Sequence, residues 1–167
     1  MLQLAAVNYT PAEAVYPRDL DRVIHQMARD IREADMLELT AAHPATPLVS
    51  IIDTSLRTRG AMIAHIGPLE YVTAPLPVCI FGVAPLGDLL TPIGAPWLIG
   101  TRRLDRLGTT LLRATKRYIA HMRELYPHMV NFVHVDNVES IKYLKAIGFT
   151  IDEAEPTSDF RRFTMGL

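Results

Sequence analysis

The stretch VHVDNVESIKYLKAIGF, residues 133–149, decides the fold class of this chain. It reads as a buried strand that ends at Val135, followed by a short helix and a glycine stop. Asp136 and Glu139 have the spacing of a capping box, which predicts the start of the helix. Gly148 predicts its end, because glycine tolerates the left-handed backbone that follows many helices.

The segment before this stretch carries the clearest helical pattern. Apolar residues from Leu104 to Met122 recur on one arc of a helical wheel, and this predicts an amphipathic helix from about Thr101 to Met122. A short strand, Trp97–Gly100, precedes it, and a buried strand, Met129–Val135, follows it. Two strands joined by a helix predict a parallel pair with a right-handed crossover.

Weaker patterns extend the assignment to both ends of the chain. We expect a loop over residues 10–17 and then a first helix with its N-cap at Asp19. Further helices are expected over residues 31–39 and within residues 48–66. Strands are expected at residues 2–7, in a hairpin of residues 70–73 and 78–83, around Ile151 and at residues 160–165. This order predicts a single α/β domain over residues 1–167, with three layers, a mixed central sheet and helices on both faces.

The composition limits the function classes. Hydrophobic residues make up 49% and charged residues 21% of the chain, which is a globular balance. A net charge of -1 gives no basic field for nucleic acid. We expect no signal peptide and no membrane span, because proline and glycine interrupt the apolar segments. The single cysteine, Cys79, is expected to be a buried residue of a protein from a reducing compartment.

The stretch at residues 133–149 resembles the C-terminal signature of the Gcn5-related N-acetyltransferases (GNAT). In that family a strand ends in asparagine, here Asn137, a short helix follows, and Gly-Phe closes it, here Gly148-Phe149. The order of elements also matches. The resemblance implies the GNAT fold over the whole chain and acetyl-CoA as cosubstrate.

A narrower resemblance covers most of the chain and concerns bacteriophage proteins. That group includes a small internal virion protein of short-tailed phages and is acetyltransferase-like. The resemblance implies a location in the host cytoplasm or the virion interior, and a host protein or virion component as partner. The segments that carry it are Arg32-Glu33-Ala34-Asp35 with Glu38, Ile80–Val83, Pro96–Thr101 with Leu104, and Phe160 with Phe163.

The GNAT resemblance implies a place for acetyl-CoA. In the family it lies in a splayed opening between the two parallel strands, and its pyrophosphate caps the helix that follows the first strand. The segment nearest to the family loop [RQ]-x-x-G-x-[GA] is Arg103–Gly108, with Arg106 at the first glycine position. If the helix starts near Thr101, the phosphate cradle shifts to residues 100–103, and Thr101 is either a phosphate ligand or only the helix cap.

Three arginines crowd this predicted helix start, where the helix dipole disfavours cations. A bound polyphosphate would reverse that effect, and the alternative is a solvated basic face. The full set of cofactor-binding candidates is Ile99, Gly100, Thr101, Arg102, Arg103, Arg106, Asn137 and Ser140.

Catalysis in the family is direct transfer, in which a base deprotonates the amine and a tyrosine commonly protonates the thiolate. Leu144 stands at the position of that tyrosine and is expected to be buried, so Tyr143 at the edge of the helix is the candidate acid. His134 and Glu70 are the candidate bases. Each of the three has a purely structural alternative. The spacing of histidine, cysteine and carboxylate residues predicts no metal site.

Three functions remain open. The first is an acetyl-CoA-dependent N-acetyltransferase acting on an amine, such as a lysine or N-terminus of a host protein. The second is a non-catalytic virion or host-interaction protein that retains the fold, favoured by Arg106 and Leu144 at the motif positions. The third is an inhibitor of a host enzyme that uses the basic face of the long helix. Fold alone does not choose among them.

Overall fold

The computed structural model describes residues 7–67, 76–87 and 90–166, apart from the side chains of residues 108–110. The strands are β1 (Val7–Pro11), β2 (Met62–Ile66), β3 (Leu76–Pro85), β4 (Ile93–Gly100), β5 (His128–His134), β6 (Thr150–Ile151) and β7 (Phe160–Met165). The helices are α1 (Pro17–Asp30), α2 (Glu33–Ala42), α3 (Leu48–Leu56), α4 (Gly108–Leu125) and α5 (Val138–Ile147). Short 3-10 turns cover Ala12–Ala14 and Leu104–Arg106.

The strands form one seven-stranded mixed sheet in the order β1-β2-β3-β4-β5-β7-β6. β4 and β5 are parallel, whereas the pairs β1–β2, β2–β3, β5–β7 and β6–β7 are antiparallel. The predicted α/β class is therefore confirmed, as is the parallel pairing of the two strands that flank the long helix. The right-handed crossover remains a prediction.

The contacts divide the chain into two compact units. The first contains the described residues of Met1–Gly82 together with Leu98–Arg106. Its core is aliphatic, because the buried faces of α1 and α3 and of strands β2 and β3 are occupied by branched residues and methionine. Fully buried examples are Val23, Met27, Ile52, Ile63 and Ile80.

The second unit contains Val83–Trp97 and Leu107–Leu167. The apolar arc predicted for the long helix is buried, as at Leu111 and Ile119, and Arg113, Lys116 and Arg117 on its other side are exposed. Phe149 and Phe163 pack edge to face with ring centroids 5.1 Å apart. The single domain over residues 1–167 stays a prediction.

Some boundaries differ from the sequence prediction. β1 runs to Pro11, into the predicted loop. α1 begins at Pro17 with Tyr16 as its N-cap, so the predicted cap at Asp19 is wrong; proline suits a first helical position, which lacks an intrahelical N–H bond. The helix predicted within residues 48–66 ends at Leu56. Gly60 has a φ of 76°, and the chain then continues as strand β2.

Two predicted strands fall wholly or partly outside the described residues. Residues 2–6 of the first strand and residues 70–73 of the predicted hairpin are outside, and the latter include Glu70. Within the described residues, β3 pairs with β2. Cys79 is fully buried, and burial raises the pKa of its thiol to about 12. None of the described helices has the length and apolarity that crossing a membrane requires.

Candidate functional site

The junction between β4 and α4 differs from the sequence prediction. α4 begins at Gly108, and the chain before it forms the 3-10 turn Leu104–Arg106. The helix start predicted near Thr101 is therefore wrong. The apolar spacing persists through the 3-10 turn, since Leu104 and Leu107 are both buried, and this continuity is what extended the apparent helix.

Thr101 is held by β3. Its N–H donates to the Val78 carbonyl at 2.8 Å. Its hydroxyl, fully buried, contacts the carbonyl oxygens of Pro77 and Val78 at 2.9 and 3.0 Å. Thr101 is therefore tied to the neighbouring strand and is not the N-cap of α4.

The opposite edge of the same segment is held by the end of α1 and the start of α2. Four residues, which we name the β4 clasp, make these contacts. Arg32 N–H donates to the Gly100 carbonyl, and Arg102 N–H donates to the Asp30 carbonyl, both at 3.0 Å. Ile31 forms a bridge to Thr101. The clasp consists of Asp30, Ile31, Arg32 and Asp35.

Asp35 supplies the anion of the clasp. Its Oδ2 accepts the Gly100 N–H at 2.5 Å. Arg32 donates to the same carboxylate with two nitrogens, from Nη2 to Oδ1 at 2.6 Å and from Nε to Oδ2 at 3.1 Å. The two side chains are only 6% and 12% exposed. A two-point, charge-assisted contact of this kind is among the stronger interactions in proteins.

The close approach of the clasp requires a glycine at position 100. A Cβ on Gly100 would lie 2.5 Å from Leu104 Cδ2 and 2.9 Å from Arg32 Nε. The glycine of the predicted cradle therefore makes room for the protein's own ion pair.

Burial and charge act against each other at this pair. Burial raises the pKa of the Asp35 carboxyl above its ordinary value, against the hydrogen bond and charge of Arg32. Burial lowers the pKa of Arg32, but the hydrogen bond and charge of Asp35 outweigh it, and the pKa is raised. Arg32 is therefore cationic, and Asp35 is its principal counter-charge.

These contacts concern the predicted cradle at residues 100–103, which stays a prediction. Successive N–H groups of an extended chain point to alternate edges, and both edges are occupied here. The N–H groups of Gly100, Thr101 and Arg102 donate to Asp35, Val78 and Asp30. The fourth, that of Arg103, lies 3.4 Å from Thr101 Oγ1. The donors of residues 100–102 therefore have acceptors within the protein, and that of Arg103 has only a long contact.

The three arginines differ in their surroundings. Arg103 forms an ion pair with Asp30 at 2.9 Å and is 29% exposed. Arg102 and Arg106 are exposed, and neither forms an ion pair within the part of the chain that the structure describes. Only these two remain available for an external anion.

The start of α4 retains one property of an anion site. Its N-cap residue is Leu107, which makes no side-chain hydrogen bond to the helix. The first N–H groups of a helix have no intrahelical acceptor and favour negative charge. The phosphate site that the resemblance implies at Arg103–Gly108 stays a prediction.

At the β5–α5 junction the signature asparagine has a local structural role. Asn137 is buried and is the N-cap of α5, and its Oδ1 accepts the Ser140 N–H at 3.2 Å. The predicted capping box of Asp136 with Glu139 is therefore wrong by one residue. At the other end Gly148 has a φ of 104°, as predicted for the residue after the helix.

His134 is buried at the end of β5. Its Nδ1 accepts the Asp136 N–H at 3.2 Å, and its ring packs edge to face on Phe160 at 5.2 Å. These contacts give His134 a structural role at the end of the strand.

Tyr143 and Leu144 are both half-buried on α5. The Tyr143 hydroxyl forms a short hydrogen bond with the Thr115 hydroxyl of α4. Leu144 is less buried than expected. The contact with Thr115 gives Tyr143 a role in joining the two helices.

β4 and β5 separate soon after they pair. Their partners are Ile93 with His128 and Gly94 with Met129. Further along, the Asn131 side chain donates to the Pro96 carbonyl at 2.9 Å. Beyond the paired residues, a side chain therefore makes a hydrogen bond between the two strands. Ile99, the first cofactor-binding candidate, is buried, and Glu70 lies outside the described residues.

Sequence reasoning missed two features of the first unit. The clasp is encoded by Arg32 and Asp35, whose i, i+3 spacing on a predicted helix is a signal for an ion pair. The second feature is a cleft of about 510 Å³ between the start of α1 and the end of α3. Leu20, Ile24 and Leu56 are apolar residues of its lining, and Glu13 and Arg59 add charge to it.

The fold is that of known acetyltransferases. The GNAT domain of S. lividans PAT matches with a TM-score of 0.65 and 12% identity, covering 98% of this chain and 90% of that one. The acetyltransferase of Agrobacterium tumefaciens str. C58 matches with a TM-score of 0.60 and 16% identity. The match covers 95% of this chain and 90% of that one. The N-acetyltransferase PseH of Campylobacter jejuni, solved in complex with acetyl coenzyme A, matches with a TM-score of 0.53 and 9% identity. The match covers 96% of this chain and 98% of that one.

Sequence comparisons add a second link. Residues 97–155 match the family model described as "Bacteriophage T7, probable scaffold protein Gp13". Comparison with curated proteins gave no match. The match spans less than half of the chain, and the structural neighbours are distant in sequence. Together with the mixed sheet and the parallel β4–β5 pair, they establish that this chain has the Gcn5-related N-acetyltransferase fold.

Proposed function

We propose that this chain is a non-catalytic protein with an acetyltransferase fold that serves in the assembly of a bacteriophage particle. One observation carries the proposal. The backbone N–H groups at the end of β4 donate to Asp35, Val78 and Asp30 of the protein itself. Acceptors of the chain itself therefore occupy the donors of the segment in which the sequence predicts a phosphate cradle.

The catalytic candidates support the same proposal. Arg106 replaces a loop glycine, and its Cβ obstructs a close approach of phosphate to the backbone. Leu144 replaces the family tyrosine, and Tyr143 bonds to Thr115. His134 is buried, with a hydrogen bond to the Asp136 N–H and a ring contact with Phe160. The two candidates that the structure describes, Tyr143 and His134, thus both have contacts within the protein, and the usual acid position is apolar.

The family match supports the assembly role. The matched residues 97–155 include the β4–α4 junction and α5, which are the segments where the family chemistry would reside. A protein that keeps the fold there but occupies the donors of residues 100–102 with one side chain and two backbone carbonyls of its own is suited to structural use. The virion interior is the proposed location.

The assembly role is tested by deleting the gene from the phage that carries it and supplying it from a plasmid. We expect deletion to reduce the yield of complete particles and the plasmid copy to restore it. Complementation with the Arg102→Ala, Arg106→Ala double variant should restore it equally, because no cofactor contact is required. A normal particle yield after deletion would refute the assembly role.

A second candidate function is acetyl-CoA-dependent N-acetyl transfer to an amine of a host protein. The uncapped start of α4, the exposed Arg102 and Arg106, and the separation of β4 from β5 favour it. Acetyl-CoA would be the cosubstrate, held by these arginines and the α4 start. Tyr143 would be the acid and His134 or Glu70 the base, with Asn137 and Ser140 beside the cofactor.

Titration with acetyl-CoA separates the two functions. Ligand at a hundredfold excess over its Kd stabilises a protein by about 2.7 kcal/mol, so binding is visible as a raised Tm. The assembly proposal predicts no shift. The enzyme candidate predicts a shift that the Arg102→Ala, Arg106→Ala variant abolishes, whereas Arg113→Ala, which changes an exposed arginine within α4, retains it.

A further inference from the structure

Helix α4 leaves its positive charges without counter-charges. It carries four lysines and arginines, all of them exposed, which are Arg113, Lys116, Arg117 and Arg123. None of these four forms an ion pair with any of the residues that the structure describes. The one acid of the helix, Glu124, lies near its end, with its carboxylate 3.2 Å from His121 Nδ1.

Helix α1 has the opposite arrangement of charge. Arg18 and Arg22 lie 3.9 and 3.5 Å from the Asp19 carboxylate. Arg29 lies 3.0 Å from Asp30. Three arginines and three aspartates leave α1 without net charge, whereas four cations and one glutamate give α4 a formal charge of +3. The rest of the chain therefore carries -4, and the net charge of -1 conceals a local basic surface.

The four cations of α4 share one side of the helix. Helical residues three, four and seven positions apart lie on the same side, and the cations have these spacings. The opposite side is buried, as at Ile119 and Met122. From Arg113 to Arg123 the cations extend over about 15 Å of the helix axis. We name this side the α4 basic face; its residues are Arg113, Lys116, Arg117, Ala120 and Arg123.

The α4 basic face is unfavourable for the free protein. Arg113 lies three residues before Lys116 and four before Arg117, and like charges at these spacings repel each other. The helix dipole favours Arg123 in the last turn, but its effect does not reach the other three cations. A bound anion would turn this repulsion into attraction, so the charge of the face specifies an anionic partner.

The composition of the face favours a nucleic acid over a protein or a membrane. Interfaces between proteins depend on large apolar or aromatic residues at their centre, and this face has only Ala120 among its cations. A membrane-surface helix inserts its apolar side, which in α4 is already packed within the protein. Interfaces with nucleic acid are more polar and more positively charged, and arginine contacts phosphate oxygens at two points.

We propose that the α4 basic face binds the phosphate backbone of a nucleic-acid duplex without reading its sequence. None of the five residues of the face is aromatic, so unpaired bases have no side chain there on which to stack. A duplex presents about nine phosphate charges over 15 Å, so several of them lie within reach of the four cations. This inference goes beyond the proposed assembly role and does not rest on it.

The test is the fluorescence anisotropy of a labelled duplex DNA of about 20 base pairs, titrated with the full chain at several salt concentrations. For wild type, the logarithm of the association constant should fall with the logarithm of the salt concentration with a slope of about -3. The Arg113→Gln, Arg117→Gln variant should lose about 2 from this slope and raise the Kd at low salt by about tenfold or more. Without DNA it should unfold at the same or a higher temperature, because a like-charge pair is removed.

The Arg57→Gln, Arg59→Gln variant is the matched control. It also removes two exposed arginines, but these lie at the end of α3 and just beyond it. It should bind the duplex with the affinity and salt slope of wild type. Undetectable binding of wild type at low salt, a slope near zero, or an equal loss in the control would overturn the proposal. Tighter binding of a poly-glutamate peptide than of the duplex would overturn it as well, because the face would then suit an acidic protein.

Discussion

The β4–α4 and β5–α5 junctions both lead from a central strand into a helix, yet they are specified in different ways. At β5–α5 the determinants lie within the junction itself, in the Asn137 cap and the left-handed Gly148. At β4–α4 they come from distant segments, with Asp35 and Val78 holding residues 100 and 101. Local determinants can be recognised in the sequence, whereas contacts made by segments distant in sequence cannot.

Removing the clasp anion should produce the largest effect. Asp35→Ala leaves Arg32 buried without its principal counter-charge, and breaking a buried pair costs about 3–5 kcal/mol. Asp53→Ala, which breaks the exposed i, i+4 pair with Arg57, should cost about 0–1 kcal/mol. Denaturant unfolding of both variants measures the difference, and equal costs would contradict a stabilising role for the clasp.

Substitution of Gly100 and Gly148 by alanine and by asparagine should rank the losses of stability in opposite orders. Gly100→Ala should cost about 1–3 kcal/mol because its Cβ meets Leu104 and Arg32, and Gly100→Asn should cost more. Gly148→Ala should cost about 1 kcal/mol through its positive φ, and Gly148→Asn should cost less, since asparagine tolerates that conformation. The same ranking at both positions in thermal unfolding would remove the distinction between the junctions.

The cap assignment at β5–α5 predicts a smaller effect. Asn137→Ala should reduce the free energy of unfolding by about 0.5–2 kcal/mol, because the Ser140 N–H loses its acceptor. Asp136→Ala is the control and should change it by less than about 0.5 kcal/mol, as for most surface substitutions. If Asp136→Ala were the more damaging change, the capping box read from the sequence would be correct after all.

Acid should weaken the β4–α4 junction through Asp30. The Arg29 hydrogen bond, followed by Arg103, holds the pKa of Asp30 below its ordinary 3.8. A lowered folded-state pKa gives stability that is present above pH 3.8 and lost as pH falls through the folded-state pKa. Asp30→Asn should therefore flatten the loss of stability below that pH. If the variant lost stability with falling pH as steeply as wild type, Asp30 would not contribute to the pH dependence of stability.

The sequence was sufficient where the signal was local or periodic. The parallel β4–β5 pair, the amphipathic α4 and the glycine at the end of α5 all followed from spacing. The prediction of a helix start near Thr101 was wrong. Leu104 and Leu107 keep the apolar spacing of a helix, but the backbone contacts of residues 100–102 with Val78 and the clasp prevent a helix there. Nor does any local pattern within the predicted cradle reveal that Asp35 accepts the Gly100 N–H.

The central claim is that the end of β4 is saturated by the protein itself, and residue-resolved amide hydrogen exchange tests it most directly. The N–H groups of Gly100, Thr101 and Arg102 should exchange slowly in the free protein, because each donates to an internal acceptor. Their exchange rates and chemical shifts should stay unchanged when acetyl-CoA is added. Fast exchange in the free protein, or protection that appears only with acetyl-CoA, would contradict the account.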